Sequence, residues 1–109
     1  MAIEALGNAA GTAETVYLQG LRPEPPIAGD LVIILVRDGE DVTAAGWQKT
    51  CSGSTWFLWR IVDRHDLFAT MYAPQPREWY WEARAFRGTF TGHAEDWMTS
   101  VTEPQRDDA

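Results

Sequence analysis

The most continuous hydrophobic signal in the chain is Leu31 to Val36 (LVIILV), apolar at every position and rich in β-branched side chains. A run without polar alternates predicts a strand covered on both faces of a sheet, or a central place in a sandwich. Trp56 to Val62 (WFLWRIV) predicts a second strand, with Phe57, Trp59 and Ile61 on one face and Trp56, Leu58, Arg60 and Val62 on the other. Glu78 to Phe86 (EWYWEARAF) alternates, placing Trp79, Trp81, Ala83 and Ala85 inward and Glu78, Tyr80, Glu82, Arg84 and Phe86 outward. Shorter strands are expected over Thr15 to Gln19 and Leu67 to Tyr72.

Turn-forming residues recur near positions 29, 39, 53, 65, 75 and 88, close to the ~8–12-residue spacing of all-β sandwiches and barrels. No long amphipathic helix is written into the pattern. The expected fold is therefore all-β, an antiparallel β-sandwich or jelly-roll-like single domain over residues 15–92. Residues 1–14, rich in Ala and Gly without periodicity, read as an N-terminal arm. Residues 93–109 read as a C-terminal arm, with His93 to Val101 a short helical turn or an extended stretch and Pro104 to Ala109 disordered. Both arms should be removable without unfolding the β-domain. Arg22 to Pro26 holds three prolines and reads as an extended connector outside any ladder, and Thr50 to Ser54 reads as a loop of small polar residues.

Composition sharpens this picture in three ways. The length, 109 residues, suits one core, and six Trp, four Phe and three Tyr supply large pieces for it. The single cysteine, Cys51, excludes an internal disulfide and a cysteine-rich zinc site. The net charge of −7 lies mostly in the ends, residues 1–29 contributing −2 and 94–109 contributing −4, which argues against a duplex-binding basic face. No run reaches the ~20 apolar residues of a membrane span, and no secretory leader is visible. The expectation is synthesis in the cytoplasm, with neither nucleic acid nor membrane as a partner.

Candidate chemistry is sparse. Asp38, Glu40 and Asp41 beside Gly39 lack the ligand spacing of a calcium loop and read as a solvated turn. His65 between Asp63 and Asp66, and His93, read as polar surface, and Ser52 and Ser54 have no nucleophile-elbow context. No catalytic residue, metal ligand or cofactor site is assigned. Of the tryptophans, Trp47, Trp79 and Trp81 are expected in the core, while Trp56 and Trp97, with Met98, are the candidates for contact with a partner or glycan. Arg60, Arg84 and Arg87 are expected to pair with Glu78 or Glu82 across neighbouring rungs.

An ordered set of short motifs runs through the chain: Ala28-Gly29-Asp30-Leu31, Arg37-Asp38-Gly39, Ala45-Gly46-Trp47, Ser52-Gly53-Ser54-Thr55, the aromatic strand ending at Asp63, and Phe86-Arg87-Gly88. This order resembles a family of small β-sandwich domains of tailed-phage virion proteins, over about two thirds of the chain, with Ala45 where that family has Pro. The resemblance gives Gly29, Asp30, Gly46, Trp47, Arg87 and Gly88 structural roles. It implies a non-enzymatic virion protein, a capsid decoration (cement) protein gripping the head through its arms. Its partners would be the major capsid protein or other virion proteins and further copies of itself, with a trimer favoured. The alternative is a tail-associated adhesion module binding a host glycan through exposed aromatics. Glu24 to Asp30 also resembles the stretch after the nucleophile of self-cleaving repressor proteases, but Arg22 and Pro23 stand where that chemistry needs Ser.

Overall fold

The structure, a computed structural model, describes residues 3–37, 42–52, 55–63, 68–74 and 78–88. Among these residues nine strands follow in chain order: β1 (Glu4–Gly11), β2 (Thr15–Tyr17), β3 (Arg22–Pro23), β4 (Leu31–Val36), β5 (Thr43–Ala44), β6 (Gln48–Ser52), β7 (Thr55–Ile61), β8 (Phe68–Tyr72) and β9 (Trp81–Arg87). One 3-10 turn, Leu18–Gly20, interrupts them. A six-stranded sheet runs β3-β1-β9-β4-β7-β6 and a three-stranded sheet runs β2-β8-β5. Every pairing is antiparallel. The fold is an all-β sandwich in a single domain.

β4 is the spine of the large sheet because all six of its residues are apolar and all six are buried. Val32, Ile34 and Val36 face the small sheet, joining Leu58, Ala83 and Ala85 from the flanking strands and Val16, Ala69 and Met71 from the opposite layer. Leu31, Ile33 and Leu35 face the other way and cluster with Phe86, against which Ile3, Phe57 and Trp59 pack. The double coverage expected of this segment is thus present.

Two Ala-Gly turns set the entry to the strands. Asp30 N–H donates to the Ile27 carbonyl at 3.0 Å with Gly29 at φ 94°, and Trp47 N–H donates to the Ala44 carbonyl at 3.0 Å with Gly46 at φ 83°. Each is a four-residue turn with positive φ at the third position, the type II requirement that glycine meets without strain. Type II turns favour Pro at their second position, where this chain has Ala28 and Ala45.

The first turn delivers Asp30 into the interior. Its side chain is 3% exposed, and Arg87, 57 positions later, meets it with two hydrogen bonds of 2.9 Å, Nε to Oδ1 and Nη2 to Oδ2. Ile27 N–H donates to Oδ2 at 2.8 Å, and Glu24 takes a third side of the guanidinium at 3.0 Å. Burial pushes the Asp30 carboxyl up, but the Arg87 hydrogen bond, the Ile27 amide and the guanidinium charge outweigh it, and the carboxyl lies below its ordinary value. The same contacts raise Arg87.

Several expectations are corrected. Residues 4–11 are no arm: β1 lies between β3 and β9, paired from Glu4↔Arg87 to Gly11↔Trp81. The register shifts between Ala5 and Gly7, and Leu6, the extra residue of this bulge, is buried in the inner core. Arg22 and Pro23 do join a ladder, opposite Asn8 and Gly7, which Pro tolerates because β3 is the edge strand. Gln48–Ser52 is a strand rather than a loop, paired with β7. β9 begins at Trp81, and Glu78 to Tyr80 lie before it. The C-terminal arm, the turn at Asp38-Gly39 and the histidines fall outside the described residues.

Because the folded carboxyl of Asp30 lies below the unfolded value of about 3.9, its contribution is present above that value and lost as pH falls through the folded one. Asp30→Asn should cost roughly 1.5–3 kcal/mol at neutral pH, and urea midpoints of wild type and variant should converge as the pH is lowered. In Arg87→Met burial of Asp30 is opposed only by the Ile27 amide, so acid unfolding should begin at a higher pH; an unchanged acid midpoint would remove the pair from the account. Ile34→Ala, at the centre of the inner face, should cost about 2–5 kcal/mol in the same assay.

Candidate interaction surfaces

The small sheet presents two different faces because its strands alternate. Val16, Ala69, Met71 and Ala44 point inward and are buried. Thr15, Tyr17, Phe68, Thr70, Tyr72 and Thr43 take the alternate positions and point outward. On this outer face Tyr17 stands opposite Phe68, Thr15 opposite Thr70, and Thr43 opposite Tyr72. The three aromatic residues are 66%, 56% and 59% exposed for Tyr17, Phe68 and Tyr72. The Tyr17 and Phe68 rings lie 6.1 Å apart, tilted by 50°, and the Thr15 and Thr70 hydroxyls share a 3.4 Å hydrogen bond.

None of these six side chains carries a charge. In a chain of net charge −7 the face is a neutral island of rings and hydroxyls, the composition that recurs at the centre of protein interfaces. Its aromatic members are held by two χ angles each, so little side-chain freedom is lost when they are covered.

The residues singled out from sequence fare differently. Trp56 is half-buried, packs against the inner core, and has the Lys49 ammonium 5.2 Å from its ring centroid. Lys49 therefore caps one side of the ring of this half-exposed candidate. Trp97 and Met98 lie outside the described residues. Gly29, Asp30 and Arg87 meet in the ion-pair cluster, with Gly88 directly after it, while Gly46 and Trp47 form the second turn. The Gly46 carbonyl accepts Arg60 Nη1 at 2.7 Å, and Trp47 packs half-buried against the inner core.

The arginine pairings also differ from expectation. Arg84 does pair with Glu82, at 2.8 Å but along one strand. Arg60 approaches Asp63 at 3.9 Å, and Arg87 serves Asp30 and Glu24. Trp79 is buried as expected, whereas Trp81 is only partly covered.

The outer aromatic face escaped the sequence reading because Tyr17, Phe68 and Tyr72 are scattered over two short strands. Only the pairing of β2 with β8 gathers them. Their odd–even alternation with Val16, Ala69 and Met71 was the available signal.

Among the described residues no group of three or more His, Cys, Asp or Glu side chains is placed to hold a metal ion. No helix among them is long and apolar enough to cross a membrane. Compared with known proteins, the chain matches no family model, no curated protein and no solved structure.

If the outer face is surface rather than core, Phe68→Ser should change stability by less than about 1 kcal/mol. A loss of 3 kcal/mol or more on urea denaturation would place Phe68 in packing instead.

Proposed function

We propose that this protein is a non-enzymatic structural component of a tailed-phage virion, an oligomeric decoration protein of the head. The observation that carries the reading is the uncharged face of Tyr17, Phe68 and Tyr72 on the small sheet. Three aromatic residues on one sheet face, each more than half exposed, are costly to leave in water and are well suited to be covered by a second copy or by the shell. The ordered motifs from Ala28 to Gly88 support the same reading through their resemblance to virion β-sandwich domains.

The role first assigned to the N-terminal arm passes to this face, because residues 4–11 are committed to the large sheet. The partners proposed are the major capsid protein and further copies of this chain, with a trimer favoured.

Sedimentation tests the reading directly. The purified protein is expected to run as an oligomer and to co-sediment saturably with undecorated phage heads. Phe68→Glu should keep the β-sheet circular dichroism signal and weaken both associations at least tenfold, about 1.4 kcal/mol. A monomer that ignores heads and pellets with host cells would replace this reading by a tail-associated adhesion module.

A further inference from the structure

We propose that a cleft on the outer face of the large sheet, where β1, β4 and β9 end together, binds a neutral saccharide. The cleft has a volume of about 570 Å³, within the range of roughly 300–1,000 Å³ usual for ligand sites. Ala10 and Leu35 form its floor, and Thr12, Arg37, Tyr80 and Glu82 line it, with Trp81 and Gly11 on the β1 side. This inference stands apart from the assembly reading and uses the opposite side of the sandwich.

The ladder explains why there is a depression. Ala10 stands opposite Glu82, and Glu82 opposite Leu35, in one rung across three strands. A methyl group therefore occupies a position where any longer side chain would fill the space between Glu82 and the rim.

The walls are fixed before a ligand arrives. On the inner side of the sheet Trp81 Nε1–H donates to the Ala13 carbonyl at 2.7 Å, and its indole packs so close against Gly11 that a Cβ there would come within 2.5 Å of a ring carbon, which fixes the backbone of the β1 side from behind the cleft. The Tyr80 hydroxyl donates to the Glu78 carboxylate at 2.5 Å. Glu82 accepts from Arg84 at 2.8 Å, and Arg37 N–H donates to the Tyr80 carbonyl at 3.2 Å, tying one rim to the other. Walls held in this way lower the ordering cost of binding.

The chemistry offered is that of a pyranose. The Tyr80 ring, with that residue 48% exposed, provides an apolar face for the C–H side of a sugar. The Thr12 hydroxyl, the Arg37 guanidinium and the Glu82 carboxylate provide donors and acceptors for hydroxyl groups. Around the cleft Arg37 and Arg84 are balanced by Glu78 and Glu82, so it offers no net positive charge to hold a polyanionic glycan, whereas a neutral one needs none.

The test is a 15N-NMR titration of the full chain with maltotriose, chitotriose and galactotriose, preceded by a screen on an array of neutral glycans, with trigalacturonate as the acidic control. A neutral saccharide is expected to shift the amides of Thr12, Arg37 and Tyr80 to Glu82 saturably, and trigalacturonate is expected to bind at least tenfold more weakly. Tyr80→Ala should weaken the interaction at least tenfold. Ala10→Arg, an exposed substitution that fills the floor, should do the same with an unchanged spectrum elsewhere. No saturable neutral ligand on the array, shifts confined to Tyr17, Phe68 and Tyr72, or indifference to both substitutions would each overturn the proposal.

Discussion

A carboxylate with almost none of its surface in water must be neutralised by a group the fold carries to it, and for Asp30 that group arrives from the far end of the described chain. The Asp30–Arg87 pair joins the residue before β4 to the last residue of β9, the two central strands of the large sheet. It is compatible with only one register, because a slip of a single residue would turn Arg87 to the other face and expose the hydrophobic set of β9 at the same time. The type II turn at Gly29 aims the carboxylate, and the β4–β9 ladder aims the guanidinium. Strand order, turn geometry and electrostatics therefore constrain each other at one point, and the sandwich is closed from there.

The two surfaces proposed for function follow from this arrangement. Both sheets alternate, so each has an outer face, and the outer faces point away from each other across the core. One is neutral and aromatic, on β2 and β8; the other is notched, at the end of β1 beside β9. Coverage of the first by another protein leaves the second open to solvent, so assembly and sugar binding do not compete for the same residues.

Much of the fold was legible in the sequence because its signals were local. The uninterrupted apolar run of β4, the alternation Trp81-Glu82-Ala83-Arg84-Ala85 of β9 and the Ala-Gly turns declare themselves within a few residues. β1 was not legible. Its Ala and Gly residues have weak strand propensity, and they are small because of what lies across from them: the Trp81 indole needs the space at Gly11. A strand defined by its partner carries no pattern of its own. β6 was hidden for a related reason, since Gln48 to Ser52 is polar throughout and becomes a strand only by pairing with β7. The cleft, whose residues come from three separate stretches, was beyond any reading of neighbours along the chain. Arg87 and Asp30 were recognised separately as motif residues, but their union needed the register of β9 against β4.

The pairing of β1 with β9 also has a meaning in time. On the ribosome residues 4–11 are made early, and of their two ladder partners only the short edge β3 follows soon after. The long partner, residues 81–87, comes after every other strand of both sheets. Until then the growing chain holds β1 apart from the paired β4, β7 and β6, without the strand that links them, and the loop to be closed is nearly the whole described chain. Topologies dominated by such distant pairings fold slowly and leave strand edges open while they wait. Among the described strands the last in chain order, β9, is thus the one that joins β1 to the sheet, and the large sheet closes only once residues 81–87 have emerged.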